Sequence, residues 1–219
     1  MSRVALVTGA SRGIGFHTCI ELAKNGVHVV ALARTVAGLE QLDDAIHKAG
    51  GTCTLMPYDL LKGDLIEGLG PVLFDKFGRL DILVGNAGML GGLLPTAQID
   101  PSLWDRVFAL NVTANLRLIR TCDPLLRASD NGRAVFVTSG KAHNVAPFWA
   151  AYSASKAALE ALVLTYGQEV AHTNLKVSVF NPGKTATAMR AQAFPGEDPN
   201  TLPSAQEAGA RLAAACLSS

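Results

Sequence analysis

Short apolar runs alternate with helical patterns along the whole chain, and that alternation constrains the fold more than any other feature. Residues 3–8, RVALVT, are mostly apolar with no two-residue period, which reads as a strand buried on both faces. The run passes straight into Thr8-Gly9-Ala10-Ser11-Arg12-Gly13-Ile14-Gly15, and a helical pattern follows from about Ile14 to Asn25. Gly26 stands where a C′ glycine ends a helix. The unit then recurs, with residues 28–33, 53–57, 80–85, 133–138 and 175–180 reading as further strands. Helical patterns cover 38–48, roughly 62–77 with an interruption at Gly70-Pro71, then 112–128, 150–172 and 204–217. Asp100-Pro101 reads as an N-cap and N1 pair. Strands and helices in this order predict an α/β fold, a doubly wound parallel sheet of six strands with helices on both faces.

Composition sets the class. A chain of 219 residues suits one α/β domain spanning 1–219. Apolar residues are 49% and charged residues 17%, the balance of a globular protein. A net charge of +1 offers no electrostatic case for nucleic acid as a partner. The cysteines at 19, 53, 122 and 216 are isolated, so no metal site or redox pair is expected. Reduced thiols fit a cytoplasmic protein. The first strand starts almost at Met1, which argues against a signal peptide. The longest uncharged stretch, 82–99, is broken by Asn86, glycines and Pro95, so no membrane span is expected.

The first strand–turn–helix unit has the makings of a phosphate cradle. Glycines let the backbone approach a pyrophosphate, and the free N–H groups and dipole of a helix start favour an anion. The spacing is G-x-x-x-G-x-G, and no lysine follows the last glycine, which excludes a P-loop. Ligands of doubly wound sheets bind beyond the carboxyl ends of the strands. Gly9, Asp59, Asn86, Ser139 and Asn181 all fall just after strand ends, so they are expected to share one crevice.

Tyr152 and Lys156 lie four apart in YSASK, one turn apart on the same helix face, with Ser139 a short loop upstream. A tyrosine titrates near pH 10 and is a poor acid at neutral pH; lowering it by about 3 units takes roughly 4 kcal/mol. A desolvated ammonium nearby favours the phenolate and can supply this. A Tyr-x-x-x-Lys pair alone is ordinarily two unrelated surface residues; the glycine loop is what gives this one meaning.

Together, TGASRGIG at 8–15, Asp59-Leu60, Asn86-Ala87-Gly88, Asn111, Ser139, YSASK at 152–156 and Asn181-Pro182-Gly183 resemble the short-chain dehydrogenase/reductase family over nearly the whole chain. The resemblance implies a three-layer Rossmann fold and hydride transfer between a nicotinamide dinucleotide and a carbonyl or alcohol. It implies a catalytic set of Asn111, Ser139, Tyr152 and Lys156, with Tyr152 as general acid–base. It implies cofactor contacts from Gly9, Ser11, Arg12, Gly13, Ile14, Gly15, Arg34, Asp59, Leu60, Asn86, Ala87, Gly88, Tyr152, Lys156, Pro182, Gly183, Thr185 and Thr187. No acid follows the second strand until Glu40, whereas Arg34 follows it directly and Arg12 sits in the glycine loop. Two guanidiniums suit a ribose 2′-phosphate, so NADP(H) is expected ahead of NAD(H). The family's seventh strand is missing after 204–217, which leaves the sixth as an open edge. A homodimer through the helices at 112–128 and 150–172 is expected. The alternative in a different class is a non-catalytic dinucleotide-binding regulator or scaffold. Against it, the chain keeps every catalytic position.

Other residues have plainer readings. His143 is a loop histidine or a pocket lining, and Lys141 faces solvent. Arg117, Arg120 and Arg127 share part of a helix face, which reads as a solvated or subunit-facing stripe ahead of a surface for an acidic carrier protein. Met89, Leu90, Leu93, Leu94, Phe148, Trp149, Met189 and Phe194 either line an apolar substrate pocket or pack on one another.

Overall fold

The computed structural model describes residues 2–218. Its elements in chain order are β1 (Val4–Thr8), α1 (Gly13–Lys24), β2 (His28–Leu32), α2 (Val36–Lys48), β3 (Cys53–Met56), α3 (Gly63–Glu67), α4 (Leu69–Phe77), β4 (Ile82–Gly85), α5 (Pro101–Phe108), α6 (Ala114–Arg127), β5 (Arg133–Val137), α7 (Ala150–Glu169), β6 (Lys176–Phe180), α8 (Ala188–Ala193) and α9 (Ala205–Leu217). The strands form one parallel sheet in the order β3-β2-β1-β4-β5-β6. Val4 stands opposite His28, and Ala5 opposite Ile82.

Two apolar cores cover the two sheet faces. Cys19, Leu22, Leu39, Leu42, Ile46 and Leu212 bring α1, α2 and α9 onto Ala5, Val7, Val29 and Val84. Ile66, Leu69, Leu73, Leu118, Leu159 and Val163 bring α3, α4, α6 and α7 onto Leu6, Val30, Leu83 and Phe136. Burial on both faces explains why β1 reads as a continuous apolar run. The strand order reverses between β1 and β4, and a doubly wound sheet opens its crevice at that point.

Local chemistry sets the boundaries. Gly26 adopts φ +72° after α1, as its C′ position requires. Asp100 Oδ1 accepts from Ser102 N at 2.7 Å, with Pro101 at the first helical position. Ser204 and Glu207 form a capping box at α9. The break expected at Gly70-Pro71 instead falls at Gly68, which puts Pro71 in the first turn of α4 where its missing N–H is tolerated. Gly70 is needed for close approach, since a Cβ there would sit 2.4 Å from Thr121 O. The helix expected at 112–128 is the second part of a longer run. The chain stays helical from α5 through a π-turn at Ala109–Thr113 into α6. The helix α8 lies in a segment, 185–203, whose sequence carries no helical pattern. Thr187 starts it by accepting from Arg190 N at 3.2 Å. Among the described residues no seventh strand joins β6, and its Lys176 and Ser178 are exposed. No described helix is long and apolar enough to cross a membrane.

Candidate active site

A cleft of about 460 Å³ opens beyond the carboxyl ends of β1 and β4. Gly9, Ser11, Arg12, Gly13 and Ile14 form one wall, with Arg34 after β2 and Asp59-Leu60 after β3. Asn86, Ala87 and Gly88 after β4 form its floor, and Pro182, Gly183, Thr185 and Thr187 its far side. Ser139, Tyr152 and Lys156 complete it. Gly15 and Asn111, grouped with these on sequence, are not in the wall; both lie behind it.

The glycine loop is held by hydrogen bonds from β4. Thr8 Oγ1 accepts from Asn86 N at 3.0 Å and Ala87 N at 3.1 Å, and donates to Val84 O at 3.1 Å. Asn86 Nδ2 donates to Thr8 O at 2.9 Å and Gly9 O at 3.3 Å. Gly9 takes φ +65° and leaves no room for a side chain, since a Cβ would meet Asn86 Nδ2 at 2.9 Å. Gly13 takes φ +59° at the start of α1. That helix start has no side-chain cap and no acid in its first turn. Uncapped N–H groups beside a glycine turn are what a pyrophosphate binds. Arg12 and Arg34 are exposed on the same wall, and neither forms an ion pair among the described residues. The donor set therefore fits a dinucleotide with an added phosphate.

At the other end, Tyr152 and Lys156 are 7% and 4% exposed. Lys156 Nζ donates to Val137 O at 2.7 Å and lies 5.9 Å from the Tyr152 ring centre. Burial pulls the Lys156 amine down to about 8, partly offset by the Glu160 carboxylate. Burial raises the Tyr152 phenol, partly offset by a hydrogen bond with the Ser139 hydroxyl. The helix spacing predicts a lowered phenol; in the protein without cofactor burial of the hydroxyl pushes it up instead, and the Lys156 ammonium is hydrogen-bonded to a β5 carbonyl. Ser139 also caps a short turn, accepting from Lys141 N at 3.3 Å.

Asn111 is fully buried in the π-turn. Its Oδ1 accepts from Met89 N at 2.9 Å, and its Nδ2 donates to Met89 O and Ser155 Oγ, both at 3.0 Å. It ties the loop after β4 to α7, next to Lys156. The Pro182-Gly183 turn is closed by Asn181 Oδ1, which accepts from Gly183 N at 3.0 Å.

A family model described as short chain dehydrogenase matches residues 3–198. The chain belongs to the short chain dehydrogenase family. The oxidoreductase YciK of Escherichia coli K12 is 36% identical over 211 residues, covering 91% of this chain and 80% of its own. A 3-oxoacyl-[acyl-carrier-protein] reductase of Synechocystis is 32% identical over 189 residues, covering 86% of this chain and 76% of its own. A short chain dehydrogenase from Shigella flexneri 2a, crystallised with NADP, superposes with a TM-score of 0.88 at 36% identity, covering 94% and 87% of the two chains. One from Escherichia coli CFT073, crystallised with NADPH, gives 0.87 at 36% identity, covering 94% and 86%.

In this short-chain dehydrogenase some neighbours of the site escape the motifs. Lys141, expected in solvent, lines the cleft with Nζ 4.9 Å from the Trp149 ring centre. His143 is outside the wall and lies against Glu160 instead. Of the eight loop apolars, Leu90, Trp149 and Met189 line the cleft. Phe194 packs on Trp149, with ring centres 5.7 Å apart. Of the arginine stripe, Arg127 pairs with Asp123, Arg120 lies 4.0 Å from Glu67, and Arg117 packs over Gly63. Glu160, four residues past Lys156, was open to the same spacing argument that singles out Tyr152.

Proposed function

We propose that the chain is an NADP(H)-dependent oxidoreductase that moves a hydride between nicotinamide and a carbonyl or alcohol carbon, with Tyr152 as general acid–base. One observation carries this reading: the uncapped glycine-loop helix start and the Ser139–Tyr152–Lys156 cluster line the same cleft. The NADP and NADPH bound in two similar structures support the choice of cofactor.

When bound, the dinucleotide supplies or takes the hydride. The loop from Gly9 to Ile14 holds its pyrophosphate, with Gly15 packed behind it, and Arg12 and Arg34 hold its 2′-phosphate. Asp59 and Leu60 flank the adenine, and Asn86, Ala87 and Gly88 run along the adenosine ribose. Pro182, Gly183, Thr185 and Thr187 hold the nicotinamide end. The Ser139 hydroxyl orients the substrate oxygen beside Tyr152. The Tyr152 hydroxyl gives its proton to that oxygen as negative charge develops there, and recovers it in the reverse direction. Lys156, cationic at neutral pH, stabilises the phenolate. Asn111 keeps the Met89 loop in register with α7. Residues 1–219 act as one catalytic domain, in a cytoplasmic homodimer.

A panel of ketones, aldehydes, acyl thioesters and alcohols, followed by NADPH absorbance, tests the reading. Tyr152→Phe should cut turnover by about 10²–10⁴-fold while NADPH binding persists. Retained turnover would overturn it.

A further inference from the structure

We infer that Glu160 is a positioning residue of this site, which braces the end of β5 and the following loop against α7 and keeps the Lys156 amine cationic. The inference rests on Lys156 serving in the proposed reaction.

Tyr152, Lys156 and Glu160 follow one another at intervals of four along α7, so they share a face that turns toward β5. Glu160 is 7% exposed, unusual for a carboxylate, and buried carboxylates need partners. It has two. Thr138 Oγ1 donates to Oε1 at 2.5 Å. His143 Nε2 lies 2.6 Å from Oε2. Those partners flank Ser139, one directly before it and one just past the Gly140–Ala142 turn. A single carboxylate thus pins both sides of the residue that meets the Tyr152 hydroxyl. Thr138 is itself held by its N–H, which donates to Phe180 O at 2.9 Å.

The electrostatic half follows from burial. Lys156 is 4% exposed, and its hydrogen bond among the described residues is to a neutral carbonyl. An amine so placed leans toward its neutral form. Of the titratable groups around it, Tyr152 and Glu160 lie one turn before and after it on α7, Lys141 lines the same cleft, and His143 lies against Glu160. The loop after β4 and the π-turn bring Gly88 and Asn111 near Nζ, and neither ionises. Glu160 is the carboxylate among these, and its charge offsets the burial.

The test follows the Lys156 amine directly. The protein without cofactor is labelled with acetic anhydride across pH 6–10 (roughly the range spanning a lowered amine), and the Lys156 peptide is read by mass spectrometry. Glu160→Gln keeps the length and the acceptor for Thr138 but removes the charge. Its Lys156 labelling midpoint should fall by about one pH unit, raising the free-amine fraction at pH 7 roughly fivefold. The alkaline limb of turnover should move the same way. If that variant does not fold, Thr138→Val with Glu160→Leu removes both ends of the buried hydrogen bond together, and the exposed His143 ring left behind is free to meet water. The same shift is expected there. An unchanged Lys156 midpoint in a folded variant would overturn the inference. A turnover-competent Tyr152→Phe would instead break the catalytic reading and leave the labelling result standing.

Discussion

Gly15→Ala tests whether Gly15 serves the site through packing rather than contact. In a helix interior alanine is favoured over glycine by about 1 kcal/mol, so propensity alone predicts a more stable protein. The surroundings oppose this. A Cβ at Gly15 would sit 2.5 Å from Gly9 O and 2.5 Å from Asn86 Nδ2. The first is backbone of the loop itself, and the second is an amide held by Thr8 O and Gly9 O. Overpacking of this kind costs about 1–3 kcal/mol, and displacing the half-buried Asn86 amide from its partners about 1 more. The balance is a net loss of about 2 kcal/mol, which for a domain of this size lowers Tm by roughly 4–8 °C. Gly167 in α7 is the opposite-sign control. A Cβ there makes its nearest contact at 3.5 Å, to Val177. Gly167→Ala should raise Tm by a few degrees, from about 1 kcal/mol of helix propensity. Thermal unfolding of both variants, with NADPH binding by fluorescence, decides the matter. A Gly15→Ala protein as stable as the parent, binding NADPH equally well, would refute the packing argument.

Three further outcomes are expected. Arg34→Asp should weaken NADPH binding about ten- to a hundredfold by losing charge-assisted hydrogen bonds, with NADH spared; equal affinity of the parent for both cofactors would contradict the two-arginine argument. Burial pulls Lys156 to about 8 from an ordinary 10.5. Between those values the unfolded chain holds a proton that the folded chain lacks, so this group's contribution to stability rises with pH there. Below 8 both states are protonated and the cost is fully present. Denaturant unfolding at pH 7 and pH 10 should find the parent gaining about 2–3 kcal/mol relative to Lys156→Met; a constant difference would refute it. Leu116 on α6 and Leu164 on α7 are 41% and 54% exposed. If those helices form the dimer, Leu164→Asp should give monomers by light scattering, and a monomeric parent would dismiss the dimer.

Much of the site was legible because its residues follow strand ends. Gly9, Asp59, Asn86 and Ser139 each come within a few residues of an apolar run's end. A parallel sheet carries all such ends to one edge. Asn111 was legible only through the family resemblance; the π-turn that holds it joins two helices the sequence reading kept apart. Less legible were residues whose role depends on a partner far away in the chain. Thr8 matters through Asn86, 78 positions on. Lys141 reads as a solvent lysine until Trp149 is beside it. The α8 helix lacks a periodic signal because none of its residues is buried.

The order of apolar runs and turns therefore determined the sheet, its parallel sense and the edge at which a ligand sits, since buried strands and right-handed crossovers leave few other arrangements. Tertiary structure decided the ionisation of the groups at that edge. Spacing alone sets Lys156 beside Tyr152, but the direction of its ammonium and the desolvation of both side chains depend on β5 packing over α7. Charge responds to every neighbour in three dimensions, and a one-dimensional pattern records only those a helical turn away.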